Sequence, residues 1–274
     1  MARLLRRAAG VLLGGFVAAS WAAAGAEPPQ GLIARWQFDA SLADDAPGRA
    51  RDDLTARAAD GRPARPRFVT GAKAPGAVGQ AVALGVRPGD AEYLVAASSP
   101  DVRLGPSYSI EAWILPTALG EWNRLVLNWG PAPEYAYHVA IHRGLVSLWH
   151  GQASGQFAIA EGGSVEPGVW QHVAAVAQRN DAEPARSTVK VYLNGRCVAT
   201  AAFDGTIRTL AREGLGIGDS AGIPAAACRF RGLLDDLAIW SRALTDVEVA
   251  AHAAERAGIL REAELARARG EKAE

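Results

Sequence analysis

FRGLLDDLAIWSRALTDVEV, from Phe230 to Val249, joins a strand, a break and a helix start in one short segment. Gly232 to Trp240 is an apolar run interrupted only by the adjacent carboxylates Asp235 and Asp236, which predicts a strand. Neighbouring strand residues face opposite ways, so these two acids cannot work as a pair in one site. Ser241 and Arg242 break the run. Thr245-Asp246-Val247-Glu248 then sets a hydroxyl three residues before a carboxylate, the capping box that starts a helix, and Gly258 is placed to end it.

Upstream, short apolar runs follow one another with Gly, Pro, Asn or Asp between them, the pattern of a sandwich or barrel. Strands are expected at Gly31–Asp39, Gly79–Gly85, Ala91–Ala96 and Ser107–Pro116. Further strands are expected at Arg124–Gly130, Tyr135–His142, Leu145–Gly151, Val169–Gln178 and Leu215–Ser220. In Ser107–Pro116 one face carries Tyr108, Ile110, Ala112 and Ile114, and the other Ser109, Glu111, Trp113 and Leu115. Within Val189–Thr200, Asn194-Gly195 predicts a two-residue type I′ hairpin, because both residues tolerate positive φ. That turn pairs Tyr192 with Cys197 and Val191 with Val198. It puts Val189, Val191, Leu193 and Val198 on the core face and Cys197 on the other. Ala40 to Ala74, rich in Ala, Arg, Asp and Gly, reads as a long surface loop with room for a short strand. No repeat with a period of 20–50 residues occurs, which argues against propellers and solenoids.

Five of these segments resemble, in order, the laminin G-like jelly-roll domains of the concanavalin A-like lectin and glucanase class. SYSIEAWILP looks like the family's aromatic-x-Ile-x-Ala-Trp strand, VWQHVAAVAQ like its Trp-x-His-Val-Ala strand, and VYLNGRCVAT like its Asn-Gly hairpin. GLGIGDS is similar to the turn into the final strands, and the segment from Phe230 to the closing strand. The resemblance spans Gly31 to Val249. It implies an all-β, antiparallel jelly-roll sandwich over residues 27–252; residues 253–274, rich in Ala, Glu and Arg, read as a short helical or disordered tail. The resemblance also implies a binding scaffold, to which calcium is often added through the acid at the position of Asp235. Hard oxygen ligands of that kind suit calcium.

The chain opens with Arg3, Arg6 and Arg7, an apolar core from Val11 to Trp21, and Ala24-Gly25-Ala26 before a polar segment. This is the layout of a signal peptide over residues 1–26, and the core is short for a bilayer span of about 20 residues. The expected mature protein is exported to the periplasm, cell surface or medium, with no membrane insertion. Cleavage leaves 26 basic against 29 acidic residues, a net charge of −3, which offers nucleic acid no electrostatic footprint. The two cysteines, Cys197 and Cys228, are expected to form one disulfide in an exported chain.

The chemistry-bearing residues favour binding over catalysis. Retaining glycosidases need two carboxyls about 5–5.5 Å apart, and the Glu-x-Asp-x-x-Glu strand of the glucanases in this class is absent. Nucleophile elbows and phosphate loops are absent as well. His138, His142 and His150 lie on neighbouring strands, but residues four apart on a strand are about 13 Å apart, too far to share one zinc ion. His172 reads as a core histidine. Trp36, Trp113, Trp170 and Trp240 occupy packing positions of the family pattern. Trp129 and Trp149 fall where that pattern is polar or variable, near Tyr135 and His150, and tryptophan can stack on a sugar ring. The expected function is therefore an exported, noncatalytic glycan-binding module, with Trp129 and Trp149 as platforms and Tyr135 and His150 as polar contacts. The alternatives are a protein–protein adhesion module and a glycoside hydrolase with an unrecognised site.

Overall fold

The computed structural model describes residues 29–46, 52–70, 79–96, 103–208, 210, 212 and 214–255. In chain order the strands are β1 (Leu32–Trp36), β2 (Leu54–Arg57), β3 (Arg67–Thr70), β4 (Gln80–Leu84), β5 (Tyr93–Ala96), β6 (Tyr108–Pro116), β7 (Trp122–Trp129) and β8 (Tyr135–His142). They continue with β9 (Leu145–Gly151), β10 (Phe157–Ser164), β11 (Gln171–Gln178), β12 (Ser187–Leu193), β13 (Arg196–Phe203), β14 (Leu215–Ile217) and β15 (Gly232–Trp240). One sheet runs β13-β12-β11-β6-β15-β4-β3 with β1 also paired to β15, and the other runs β10-β9-β8-β7-β14-β5-β2. The ladders are antiparallel, and the two sheets form the expected jelly-roll sandwich.

The deciding segment is the seam of the eight-stranded sheet. Gly232, Leu233 and Leu234 of β15 pair with β4, while Leu237 to Trp240 pair with β1. The switch falls at Asp236, whose φ of 49° kinks the strand within the register shift between Asp235 and Ala238. Asp236 is held there by the Arg35 guanidinium at 2.8 Å. On β6 the expected alternation holds: Tyr108, Ile110, Ala112 and Ile114 all enter the central core. Trp36, Trp113 and Trp240 are buried and Trp170 is half-buried.

Three features depart from the sequence reading. Ala40 to Ala74 contains two strands, β2 and β3, at the far edges of the two sheets. Strand β10 is absent from the strands expected from the sequence, which assign nothing between Gly151 and Val169. A Cβ at Gly162 would sit 2.5 Å from the carbonyl oxygen of Val198, so the glycine is required where β10 closes against β13. In the hairpin, Asn194 and Gly195 have φ of 50° and 77° as expected. Beyond the turn a bulge pairs Val191 with Ala199 instead of Val198.

The expected disulfide does not form: Cys197 and Cys228 are both free. Cys197 lies exposed on β13, at the edge of the eight-stranded sheet, with its Sγ near Ala199 and Thr200. Cys228 ends a 3-10 turn, Ala226–Cys228, that packs against β7 of the other sheet. Strand parity predicted which way Cys197 points, but it carried no information on which layer the turn joins. The signal peptide expected at 1–26 and the tail beyond 255 lie outside the described residues.

The C-terminal helix spans 246–255 and crosses the boundary expected at 252. Thr245 and Glu248 make the reciprocal capping bonds: the Glu248 amide donates to Thr245 Oγ1 at 3.2 Å, and the Thr245 amide to Glu248 Oε2 at 2.8 Å. The helix lies on the outer face of the eight-stranded sheet, where Val249 and Leu244 join Leu32, Tyr192 and Trp240 in a second apolar cluster. The hairpin turn meets it so closely that a Cβ at Gly195 would be 3.0 Å from that of Ala253.

Beneath the helix sits a buried carboxylate. Glu111 accepts from Trp240 Nε1 at 3.1 Å, and its oxygens lie 2.9 Å from His252 Nδ1 and 3.5 Å from His172 Nε2. Burial pushes its pKa up, but the hydrogen bonds from His172 and His252 outweigh burial and hold it at about 2. The Glu111 hydrogen bond raises the His252 pKa. The Glu111 contribution to stability is therefore complete above the ordinary carboxylate range and lost as pH falls toward about 2. The His252 contribution is complete below the ordinary imidazole range and lost as pH rises through its raised value. The clasp is strongest in mildly acidic solution. Glu111→Gln should cost roughly 3–5 kcal/mol at about pH 5.5, as for breaking a buried pair, and less at pH 9, because the His252 contribution is lost as pH rises through its raised value. Urea unfolding of both proteins at the two pH values measures this, and a pH-independent difference would refute the clasp.

Candidate functional site

The outer face of the seven-stranded sheet has no covering helix among the described residues. Because side chains alternate, Tyr137, Val139 and Ile141 of β8 face the core and His138 faces out. On β9, Val146 and Leu148 face the core and Trp149 faces out; on β10, Ala158 and Ala160 face in and Phe157 faces out. Register brings these together, with His138 opposite Trp149 and Trp149 opposite Ile159. Two irregularities in the β7–β8 ladder, one in β7 after Arg124 and one in β8 opposite Asn128 and Trp129, put Trp122, Trp129 and Tyr135 on the same face.

The result is a continuous aromatic strip. Trp122 stacks on His142 at 3.9 Å and on His138 at 5.3 Å, and meets Trp149 edge-on at 5.4 Å. Trp129 stacks on Phe157 at 5.4 Å and on Tyr135 at 4.7 Å. Trp149 lies 5.7 Å from Phe157, and the Arg208 guanidinium covers Phe157 at 5.0 Å. Trp122, Arg124, Trp129, His138, Trp149 and Cys228 line a cavity of about 180 Å³. The tryptophans are half-buried and His138 is 6% exposed. Two polar atoms of this lining, Trp149 Nε1 and His138 Nε2, are buried with no hydrogen-bond partner. Burial first, then Arg124 and His142, lowers the His138 pKa to about 3, so its ring is neutral. His142 itself is tied to Glu161 through Nδ1.

One wall of the cavity is a loop organised by Asp219. This fully buried carboxylate accepts from Arg124 Nη1 at 2.7 Å, Arg229 Nε at 2.8 Å and the amides of Ser220 and Ala225. Ser220 Oγ donates to the Trp129 carbonyl. The turn carrying Cys228 is thereby fixed against β7. A second, larger crevice of about 420 Å³ lies at Gln178–Asp181, Arg186 and Thr188. Its arginines are exposed and paired locally with Asp181 and Glu183, and its lining contains no aromatic platform.

Of the residues singled out in the sequence, Trp129, Trp149 and Tyr135 lie together on this strip. His150 does not. It is fully buried on the core side of β9, with Nδ1 3.0 Å from the Tyr108 hydroxyl and Nε2 2.8 Å from the Thr206 carbonyl. Parity separates it from Trp149. Trp122, His138, Phe157, Arg124 and Asp219 were not assigned to the site from the sequence. Parity alone places His138 on one strand face with His142, but the sequence carries no signal for the ladder irregularities that bring Trp122 and Trp129 to a common face.

Asp235 is 1% exposed on β15, opposite Trp113. No cluster of three or more His, Cys, Asp or Glu that could hold a metal occurs among the described residues. Calcium takes about six to eight oxygens, so the side chains alone do not fit it, and an ion at Asp235 would rest mainly on backbone carbonyls.

Residues 71–250 match the family model described as the concanavalin A-like lectin/glucanases superfamily. Among solved structures the chain is similar to domain 4 of AbnA, a GH43 extracellular arabinanase from Geobacillus stearothermophilus, in complex with arabinotriose. That match has a TM-score of 0.60 and 20% identity, over 83% of this chain and 100% of the other. The chain is also similar to the binding domain of Paraclostridial Mosquitocidal Protein 1, with a TM-score of 0.60 and 12% identity over 81% of this chain and 52% of that one. The binding domain of Botulinum Neurotoxin DC in complex with SialylT gives a TM-score of 0.59 and 11% identity, over 82% and 51%. The chain thus spans about half the length of the two toxin domains. At these identities the likeness establishes the fold. No curated protein matches the chain.

Proposed function

The chain belongs to the concanavalin A-like lectin/glucanase superfamily, and on that premise we propose that it is an exported, noncatalytic module that binds a glycan on the aromatic strip. One observation carries this reading: three tryptophans and Phe157 are held half-exposed on a sheet face, around buried polar atoms that lack partners. Indole offers a broad apolar face for a sugar ring, and an N–H for its hydroxyls. An apolar pocket with a few convergent polar groups is the usual form of a small-ligand site. The arabinotriose complex of a similar fold supports the same ligand class.

Trp129→Ala and Trp149→Ala should each abolish or weaken glycan binding at least tenfold on an array or by calorimetry. Each should cost about 1–2 kcal/mol of stability, against about 3–5 for a core aromatic. Stable variants with undiminished glycan binding would move the ligand elsewhere and favour a protein partner. Calcium remains a proposal at Asp235: millimolar calcium should raise the melting temperature by mass action, and Asp235→Asn should remove the response. An unshifted melting curve for the parent protein eliminates the ion. Export predicts a mature N-terminus at or within a few residues of Glu27, read by mass spectrometry of secreted material; intact Met1 to Ala26 in a membrane fraction contradicts it.

A further inference from the structure

We propose that the cavity between Trp122, Trp129 and Trp149 takes a single uncharged sugar ring, hydrogen-bonded through hydroxyls to His138 Nε2 and Trp149 Nε1, and rejects acidic sugars. This rests on the glycan-binding reading above and adds three physical arguments to it.

The first is size. A volume of about 180 Å³ falls below the roughly 300–1,000 Å³ of sites that enclose drug-sized ligands. At about 30 Å³ per water it holds on the order of six, which suits one ring and leaves the rest of a chain outside. The edge-on arrangement of Trp122 and Trp149, 66° between planes, gives that ring one wall to stack on and another to abut.

The second is hydrogen-bonding chemistry. Indole N–H donates only, whereas the free imidazole nitrogen donates or accepts according to tautomer. A hydroxyl donates and accepts, so neighbouring ring hydroxyls satisfy Trp149 Nε1 and either tautomer of His138. Both atoms are already buried and unpaired in the free protein, so a hydroxyl gains hydrogen bonds there that an apolar occupant cannot supply. Arg124 Nε is a further buried donor without a partner at the same wall.

The third is charge. The cations near the cavity are already matched. Arg124 and Arg229 both bond Asp219, and Arg229 Nη1 lies 3.7 Å from Glu92. The groups facing His138 are Arg124 on β7 and His142 on β8, with His142 paired to Glu161 on β10. His138 is neutral, and the cavity lining holds no unmatched cation for a carboxylate; Arg208 lies over Tyr135 and Phe157, outside that lining. Burying a carboxylate there would be costly.

The test is calorimetry on the mature chain with two sets of probes. One set is neutral trisaccharides (arabino-, xylo-, cello- and maltotriose), and the other is uronic-acid trisaccharides of equal length. At least one neutral probe should bind, and every uronic-acid probe at least tenfold more weakly. His138→Phe keeps the stack on Trp122 and removes the nitrogen, and should lose at least tenfold in neutral-sugar affinity with a melting temperature close to the parent's. If His138→Phe does not fold, His138→Gln serves instead, since its amide restores a hydrogen-bonding group and should retain measurable binding that His138→Leu loses. Tighter binding of a uronic-acid probe overturns the inference. So does a sugar affinity that Trp149→Ala abolishes and His138→Phe leaves unchanged; in both cases the glycan-binding reading survives. If no probe of either set binds, or if binding is indifferent to Trp129→Ala and Trp149→Ala, that reading fails and this inference fails with it.

Discussion

Successive side chains on a strand point to opposite faces, and a two-layer sandwich can bury only one face of each sheet against the other. Every strand here therefore divides its residues into a core set and an outward set, and the molecule's behaviour follows from what is done with the two outward sets. The core set is uniform: Tyr108, Ile110 and Ile114 from one layer meet Tyr137, Val139 and Leu148 from the other. The outward sets differ sharply. On the eight-stranded sheet many are buried again, beneath the 246–255 helix with Glu111 among them, and in a further cluster of Val69, Ala81, Ala83 and Leu233 against which Trp170 packs. On the seven-stranded sheet they are aromatic and half-exposed.

That asymmetry separates stability from recognition. Glu111 and Asp219 are both buried carboxylates fixed by several partners, yet they act on different faces. Glu111 draws His252 of the helix onto Trp240 and so seals the structural face. Asp219 draws Arg124 and Arg229 together and pins the loop that walls the aromatic cavity. A buried ion group adds little net stability over an apolar substitute, but breaking one is costly because the remaining charge is stranded. Both groups are better understood as fixing an arrangement than as supplying stability.

Much of this was legible in the chain. Phe230 to Val249 indicated the closing strand and the capped helix, and the alternation in Ser107–Pro116 indicated which residues enter the core. Asn194-Gly195 indicated a hairpin. What escaped depended on contacts between distant segments. Strand β10 carries glycines because β13 approaches it too closely for side chains, and a glycine pair viewed alone signals a turn. Cys197 and Cys228 looked like a pair because an exported chain held two cysteines, but the turn carrying Cys228 is fixed against the other layer by Asp219, nine residues before it. His150 was grouped with Trp149 by proximity in sequence, where parity sends it to the core. Trp129, Trp149 and Tyr135 were identifiable because they break the family pattern; Trp122 and His138 required the register of β7 on β8.

The cavity's construction bears on how it would bind. Its walls come from β7, β8, β9 and a turn held by at least five hydrogen bonds to Asp219 and Ser220. The rings also brace one another, Trp122 between His138 and His142, and Trp129 between Tyr135 and Phe157. Ordering flexible side chains on binding costs roughly 0.5–1.5 kcal/mol each, and here that ordering is present before any ligand arrives. A small site with few polar contacts needs such preorganisation, because one sugar ring makes too few contacts to offset the immobilisation of several free tryptophans. The same bracing would make the proposed site selective. On the reading proposed above, the Arg124–Asp219–Arg229 arrangement, one layer behind the surface that a sugar would touch, would keep those cations matched and so disfavour an acidic ring.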